Sequence, residues 1–116
     1  MTSPYLVRGA CRALAACALL LSMAAPALAH NPVVECRQVS ADTIQCRGAF
    51  SDGSLAPGVR LDVMGYDDKV LVSGKLDKNS MLSFKKPKGD FFVLFDAGPG
   101  HVVEVDHAEI VAGAAR

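Results

Sequence analysis

The sequence predicts an all-β protein, a seven-stranded antiparallel sandwich, on three observations. Short runs of β-type residues alternate with turn signals from residue 33 onward. The apolar side chains at 59, 61 and 63 alternate with Arg60 and Asp62, which is typical of a strand with one buried face. Beyond residue 29, no stretch longer than about 10 residues keeps helical spacing without a Gly or Pro break.

The predicted strands are separated by turns rich in Ser, Asp, Asn, Gly and Pro, residues that favour turn conformations. They span residues 33–39, 43–50, 59–64, 69–73, 81–85, 90–96 and 101–107. Residues 91–95 are all apolar, so we expect that strand to be central and covered on both faces. The domain is therefore predicted over residues 30–110, followed by a frayed tail at 111–116.

The first 29 residues have the features of a cleaved signal peptide. They contain no acidic residue, and Arg8 and Arg12 precede an apolar run at 13–25. Pro26 follows, and then Ala27-Leu28-Ala29 forms a small-residue cleavage site. The run is shorter than the ~20 residues of a transmembrane helix. We therefore expect a periplasmic mature chain beginning at His30, without stable membrane insertion.

A second processing route starts at a cysteine inside the same segment. Leu14-Ala15-Ala16-Cys17 resembles a lipobox, which would place a lipid on Cys17. Most of the apolar run follows this cysteine, which favours cleavage after Ala29.

The charge of the remaining chain excludes some classes of function. Two of the 12 basic residues lie in the leader, so the rest carries ten against 12 acidic residues, a formal charge of −2. That balance excludes a basic nucleic-acid-binding protein and a charged disordered tail, so no nucleic-acid partner is expected. The length allows one domain at most.

Two cysteines, Cys36 and Cys46, follow the leader. If residue 39 opposes residue 43 across the first hairpin, then Cys36 opposes Cys46, close enough for a disulfide. An oxidising compartment favours that bond. Metal ligation by both thiols is the alternative, although their ten-residue spacing matches no standard zinc pattern.

A set of turn and strand residues between about 48 and 106 resembles the pattern of a known family. It comprises Phe50-Ser51-Asp52-Gly53-Ser54, Gly74-Lys75, Asp77, Asn79, Phe84, Pro87, Phe92-Val93 and Asp96-Ala97-Gly98-Pro99-Gly100-His101. On these residues the chain resembles small secreted carboxypeptidase-regulatory or transthyretin-like domains, nearest to periplasmic accessory components of bacterial nickel/cobalt uptake transporters. The resemblance implies an Ig-like or transthyretin-like sandwich and a membrane metal transporter as partner. Ser80 stands where the family's second turn usually has glycine.

His30 is the first candidate metal ligand. As an N-terminal residue it would offer its α-amine and ring Nδ1 as a chelating pair for nickel, cobalt or copper. Pro32 lacks the backbone amide that a wrapping copper mode needs. The alternative is that His30 merely follows the cleavage site.

Asp96 and His101 are the other candidate metal ligands. If the loop between them has four residues, they face each other as two ligands, or as a ligand and its orienting carboxylate. A structural hydrogen bond across the hairpin is the alternative. His107 would lie ~20 Å from His101 along the same strand, so we expect a surface residue there.

The sequence does not predict an enzyme, because it contains no GxSxG, HExxH or Gly-rich phosphate loop. It favours a periplasmic metal-binding accessory protein for metal uptake or handling, with nickel or cobalt ahead of copper. The alternative is a metal-free interaction module that contacts an envelope or membrane protein.

Overall fold

The computed structural model describes residues 30–115 and shows eight strands in two four-stranded sheets. The strands are β1 Pro32–Gln38, β2 Thr43–Phe50, β3 Arg60–Met64, β4 Val70–Lys75, β5 Met81–Lys85, β6 Phe92–Asp96, β7 Val102–Asp106 and β8 Val111–Ala112. A 3-10 turn, His107–Glu109, lies between β7 and β8. Sheet A has the order β5-β2-β1-β8, and sheet B has the order β4-β3-β6-β7.

The all-β prediction is confirmed, and β1 to β7 overlap the seven predicted strands. The eighth strand lies in the segment predicted as a frayed tail, where Val111 and Ala112 pair in parallel with Arg37 and Gln38. A strand of only two residues is too short to show an alternating pattern, so sequence periodicity could not reveal β8. The predicted signal peptide and Cys17 lie outside the described residues. Residues 30–115 contain no helix long and apolar enough to cross a membrane.

The core lies between the two sheets and is built from alternate residues of their strands. Its buried apolar members include Cys36, Ile44, Cys46, Leu61, Val63, Leu76, Phe84, Phe91, Val93 and Phe95. Gly48 allows the sheets to approach closely, because a Cβ there would lie 2.5 Å from Leu76 Cδ1 and 2.8 Å from Phe95 Cε2. An alanine at this position would require the Leu76 and Phe95 side chains to shift.

The disulfide between Cys36 and Cys46 confirms the prediction. The two residues are direct partners in the β1–β2 register, with their Cα atoms 4.0 Å apart. Both side chains are buried in the core. The bond closes a short hairpin and contributes about 2–4 kcal/mol in the chain-entropy account of disulfide stabilisation.

Ser80 adopts the backbone conformation that glycine would provide at this turn. Its φ is 61°, in the left-handed region that non-glycine residues seldom occupy. The side chain is fully buried, and its Oγ accepts a 2.7 Å hydrogen bond from the Ala56 amide. This hydrogen bond joins the turn to the segment that leads from sheet A into sheet B, and it offsets the backbone strain.

Candidate functional sites

The N-terminal residue of the described chain is held against the turn that follows β2. The Asn31 amide donates to Ser51 Oγ at 3.1 Å, and the Ser51 amide donates to the Asn31 carbonyl at 2.8 Å. These two hydrogen bonds fix the backbone next to His30. They hold its ring beside Asp52, the next residue of the turn.

His30 and Asp52 form a partly exposed pair. His30 Nδ1 lies 2.8 Å from Asp52 Oδ2, with the side chains 61% and 42% exposed. The other carboxylate oxygen accepts hydrogen bonds from the Ser54 hydroxyl and the Ser54 amide, at 2.6 and 3.0 Å. These bonds, with a smaller contribution from the His30 charge, hold the pKa of Asp52 below its usual range. A carboxylate anion therefore faces the imidazole at neutral pH.

Asp96 and His101 lie in the β6–β7 turn, but each has its own partner. Asp96 Oδ1 accepts a hydrogen bond from the Gly98 amide at 2.9 Å, and His101 Nδ1 lies 3.0 Å from the Pro99 carbonyl oxygen. Asp96 pairs in register with Val102, one residue beyond the expected His101. Gly98 and Gly100 both have positive φ, and they accommodate the longer loop that shifts the register.

The three predicted ligands therefore make separate contacts: His30 with Asp52, Asp96 with Gly98 and His101 with Pro99. Within residues 30–115, no group of three or more His, Cys, Asp or Glu side chains is placed to hold a metal ion. Asp52 was missed as a partner of His30. The sequence feature that could have identified Asp52 is the turn Ser51-Asp52-Gly53, which follows β2. Because β1 and β2 are antiparallel, the end of β2 lies beside the start of β1 and therefore close to His30.

A second site is a surface cavity of about 340 Å³, the Tyr66 cavity, which brings together residues from distant parts of the chain. Its lining consists of Tyr66, Phe92, Glu104, Asp106 and Glu109. The Tyr66 hydroxyl donates a hydrogen bond to Asp106, and its ring centroid lies 5.5 Å from that of Phe92. The aromatic side chain is thus held at both its polar end and its ring.

His107 packs against Tyr66, one of the residues that line the cavity. Its Nδ1 lies 3.0 Å from the Phe91 carbonyl oxygen, and its Nε2 lies 3.2 Å from Asp90 Oδ1. The ring also meets the edge of Tyr66, with the centroids 6.3 Å apart. The histidine expected at the surface is therefore half-buried and links the start of β6 to the 3-10 turn.

The electrostatic environment of the cavity is negative. The hydrogen bond to Asp106 raises the pKa of Tyr66 to about 12, with further contributions from burial and from the charges of Asp106, Asp90 and Glu104. The pKa of Asp106 is lowered by the Tyr66 hydroxyl and by the Ala108 amide. Asp106 is therefore ionised and hydrogen-bonded at neutral pH, while the Glu104 and Glu109 side chains are exposed.

The cavity opens on the outer face of sheet B, the face turned away from the core. Across that face the register aligns Met64, Phe92 and Asp106 on neighbouring strands, and next to them Asp62, Leu94 and Glu104. On the outer face of sheet A, one row of paired residues is entirely polar: Arg37 pairs with Gln45, and Gln45 pairs with Ser83. The outer face of sheet B thus groups three apolar side chains, Met64, Phe92 and Leu94, beside acidic ones.

Comparison of the chain with protein-family models, with curated proteins and with solved structures finds no match.

Proposed function

We propose that the mature chain is a periplasmic accessory protein that binds a transition-metal ion for uptake or handling, with nickel or cobalt ahead of copper. It acts beside a membrane metal transporter as a binding protein and not as an enzyme. In this proposal the two sheets form a sandwich of the Ig-like or transthyretin-like kind. The observation that supports it is the 2.8 Å approach of Asp52 Oδ2 to His30 Nδ1.

The donor atoms around His30 suit such an ion. Cleavage after Ala29 would give His30 a free α-amine, which chelates together with ring Nδ1. Asp52 would supply an ionised carboxylate oxygen on the same side of the ring. Amine, imidazole and carboxylate donors suit nickel, cobalt and copper. Asp52 thereby takes the role that the sequence suggested for Asp96.

His101 is retained in this proposal as a further ligand. Its Nδ1 contact with the Pro99 carbonyl would fix the tautomer that leaves Nε2 available to a metal, a common arrangement for ligating histidines. Asp96 is assigned to the turn, because its Oδ1 accepts the Gly98 amide.

Calorimetric titration tests the proposal on protein exported with its own leader, after mass spectrometry has confirmed His30 as the first residue. We expect binding of nickel, cobalt or copper ions, weakened at least about tenfold in Asp52→Asn. An extra glycine ahead of His30 should weaken it similarly. Asp68→Asn is the matched control, since it removes one exposed carboxylate from a turn whose φ of 64° asparagine also tolerates. Unchanged affinity in the glycine-extended protein would exclude the amine as a ligand.

The second candidate function is a metal-free module that contacts an envelope or membrane protein. The group of Met64, Phe92 and Leu94 on the outer face of sheet B favours it, because apolar side chains grouped on a surface mark interaction sites. Absence of metal binding by the verified His30 protein, with retained binding to a partner, would select this function.

A further inference from the structure

We propose that the outer face of sheet B docks a basic segment of a protein partner, with one lysine or arginine side chain entering the Tyr66 cavity. Apolar residues of the segment would cover Phe92 and Leu94. This site is distinct from the His30–Asp52 pair and does not depend on metal binding.

Charge complementarity identifies the occupant as cationic. Three of the five lining residues, Glu104, Asp106 and Glu109, are acidic, and among residues 30–115 the lining includes no Lys or Arg. Glu104 and Asp106 project from the same side of β7, two positions apart. A cation placed between the two carboxylates would be attracted to both.

Tyr66 provides the aromatic surface that a cationic side chain prefers. The residue is 56% exposed, yet its hydroxyl is bound to Asp106 and its ring packs against Phe92. A lysine ammonium or an arginine guanidinium over such a ring gains a cation–π attraction. Because the ring is already held, little side-chain entropy is lost when the partner binds.

The apolar residues beside the cavity would contact the rest of the docked segment. Met64, Phe92 and Leu94 lie in adjacent register positions on the outer face and are half-buried. Val70, which pairs with Met64, and Val102, which pairs with Asp96, lie on the two edge strands of the sheet and are 51% and 48% exposed. A segment that alternates basic and apolar residues therefore matches both parts of this face.

A second copy of the chain is a poorer occupant than a basic segment. In a two-fold dimer through this face the same patch meets itself, which would bring two acidic cavities together. The leaderless chain also has a formal charge of −2, so it offers no excess of basic residues to its own copy.

Fluorescence anisotropy tests the proposal with a labelled octapeptide of alternating lysine and leucine and with the same peptide acetylated on every lysine. The protein is the mature chain from His30, kept in a metal chelator so that a failure of metal binding does not affect the result. We expect the basic peptide to bind and the acetylated peptide to bind at least about tenfold more weakly, with affinity falling as salt rises.

Two variants locate the binding surface. Glu104→Gln should weaken binding of the basic peptide about fivefold, and Tyr66→Ala should weaken it further. Glu35→Gln makes the same chemical change on the outer face of sheet A and should leave binding unchanged. Thermal melting confirms that all variants fold.

Three results would overturn the proposal. Equal binding of the acetylated peptide would show that charge is not recognised. Equal effects of Glu104→Gln and Glu35→Gln would place the peptide elsewhere. Concentration-dependent dimers in sedimentation, lost in Phe92→Ser, would assign the face to a second copy of the chain.

Discussion

The two sheets each carry an arginine paired with a carboxylate two residues away on the same strand, and the two pairs differ in burial. On β1, Arg37 Nη2 lies 2.6 Å from Glu35 Oε1, and both side chains are 33% exposed. On β3, Arg60 Nη2 lies 2.5 Å from Asp62 Oδ2, with Arg60 56% exposed but Asp62 only 1% exposed. The same local pattern therefore produces a surface pair in sheet A and a buried carboxylate in sheet B.

The neighbouring strands account for this difference. Asp62 lies between Ser73 on β4 and Leu94 on β6, and its Oδ1 accepts a 3.0 Å hydrogen bond from Ser73. Burial raises the pKa of Asp62, but the hydrogen bonds from Arg60 and Ser73 and the charge of Arg60 outweigh it, so the pKa lies below its ordinary value. An outward-facing carboxylate is thus buried where a paired strand lies on each side of it, as at Asp62, and not where only one side is paired, as at Glu35.

Removing the disulfide is expected to have the largest effect and to act on sheet A. Replacing Cys36 and Cys46 together with alanine should lower the free energy of unfolding by about 3 kcal/mol, measured by urea denaturation. Hydrogen exchange should accelerate in β1 and β2 before β3 and β6. Reductant should destabilise the wild type and leave the double variant unchanged. An equal increase in exchange across both sheets would contradict the assignment of this effect to sheet A.

The two arginine–carboxylate pairs should respond differently to truncation. Asp62→Ala should cost about 2 kcal/mol, because it removes the partner of Arg60 and Ser73 at a buried position. Glu35→Ala should cost less than about 0.5 kcal/mol, as is usual for partly exposed pairs. Chemical denaturation of both variants gives the comparison directly. Equal losses would show that burial does not separate the pairs.

The pH dependence of stability should also differ between the Asp62 and Glu35 variants, by a smaller amount. The pKa of Asp62 is lowered by folding, so its contribution is fully present above the ordinary aspartate value of about 3.9 and is lost as the pH falls through the folded value. Between about pH 5 and pH 2, the wild type should therefore lose melting temperature more steeply than Asp62→Asn. Glu35→Gln should differ less from the wild-type curve, because its ion pair with Arg37 is partly exposed. A parallel decline in all three proteins would exclude Asp62 as the source.

Local patterns predicted much of the fold and less of the candidate sites. The alternation around Leu61 and the turn residues at 40–42 located strands and hairpins, and the equal spacing from that turn paired Cys36 with Cys46. The short strand β8 escaped prediction, because its pairing depends on where the 3-10 turn directs the chain. The register at Asp96 was missed by one residue, because loop length depends on the positive-φ glycines of that turn.

The sequence by itself determined which residues of β3 point inward, because apolar and polar residues alternate there and strand alternation is a local property of the backbone. The tertiary structure decided which side chains meet: Asp52 with His30, and Tyr66 with Asp106, 40 residues away along the chain. It also decided that Asp62 is buried while Glu35 is not. These outcomes depend on neighbouring strands and on the packing of distant segments, which no local pattern encodes.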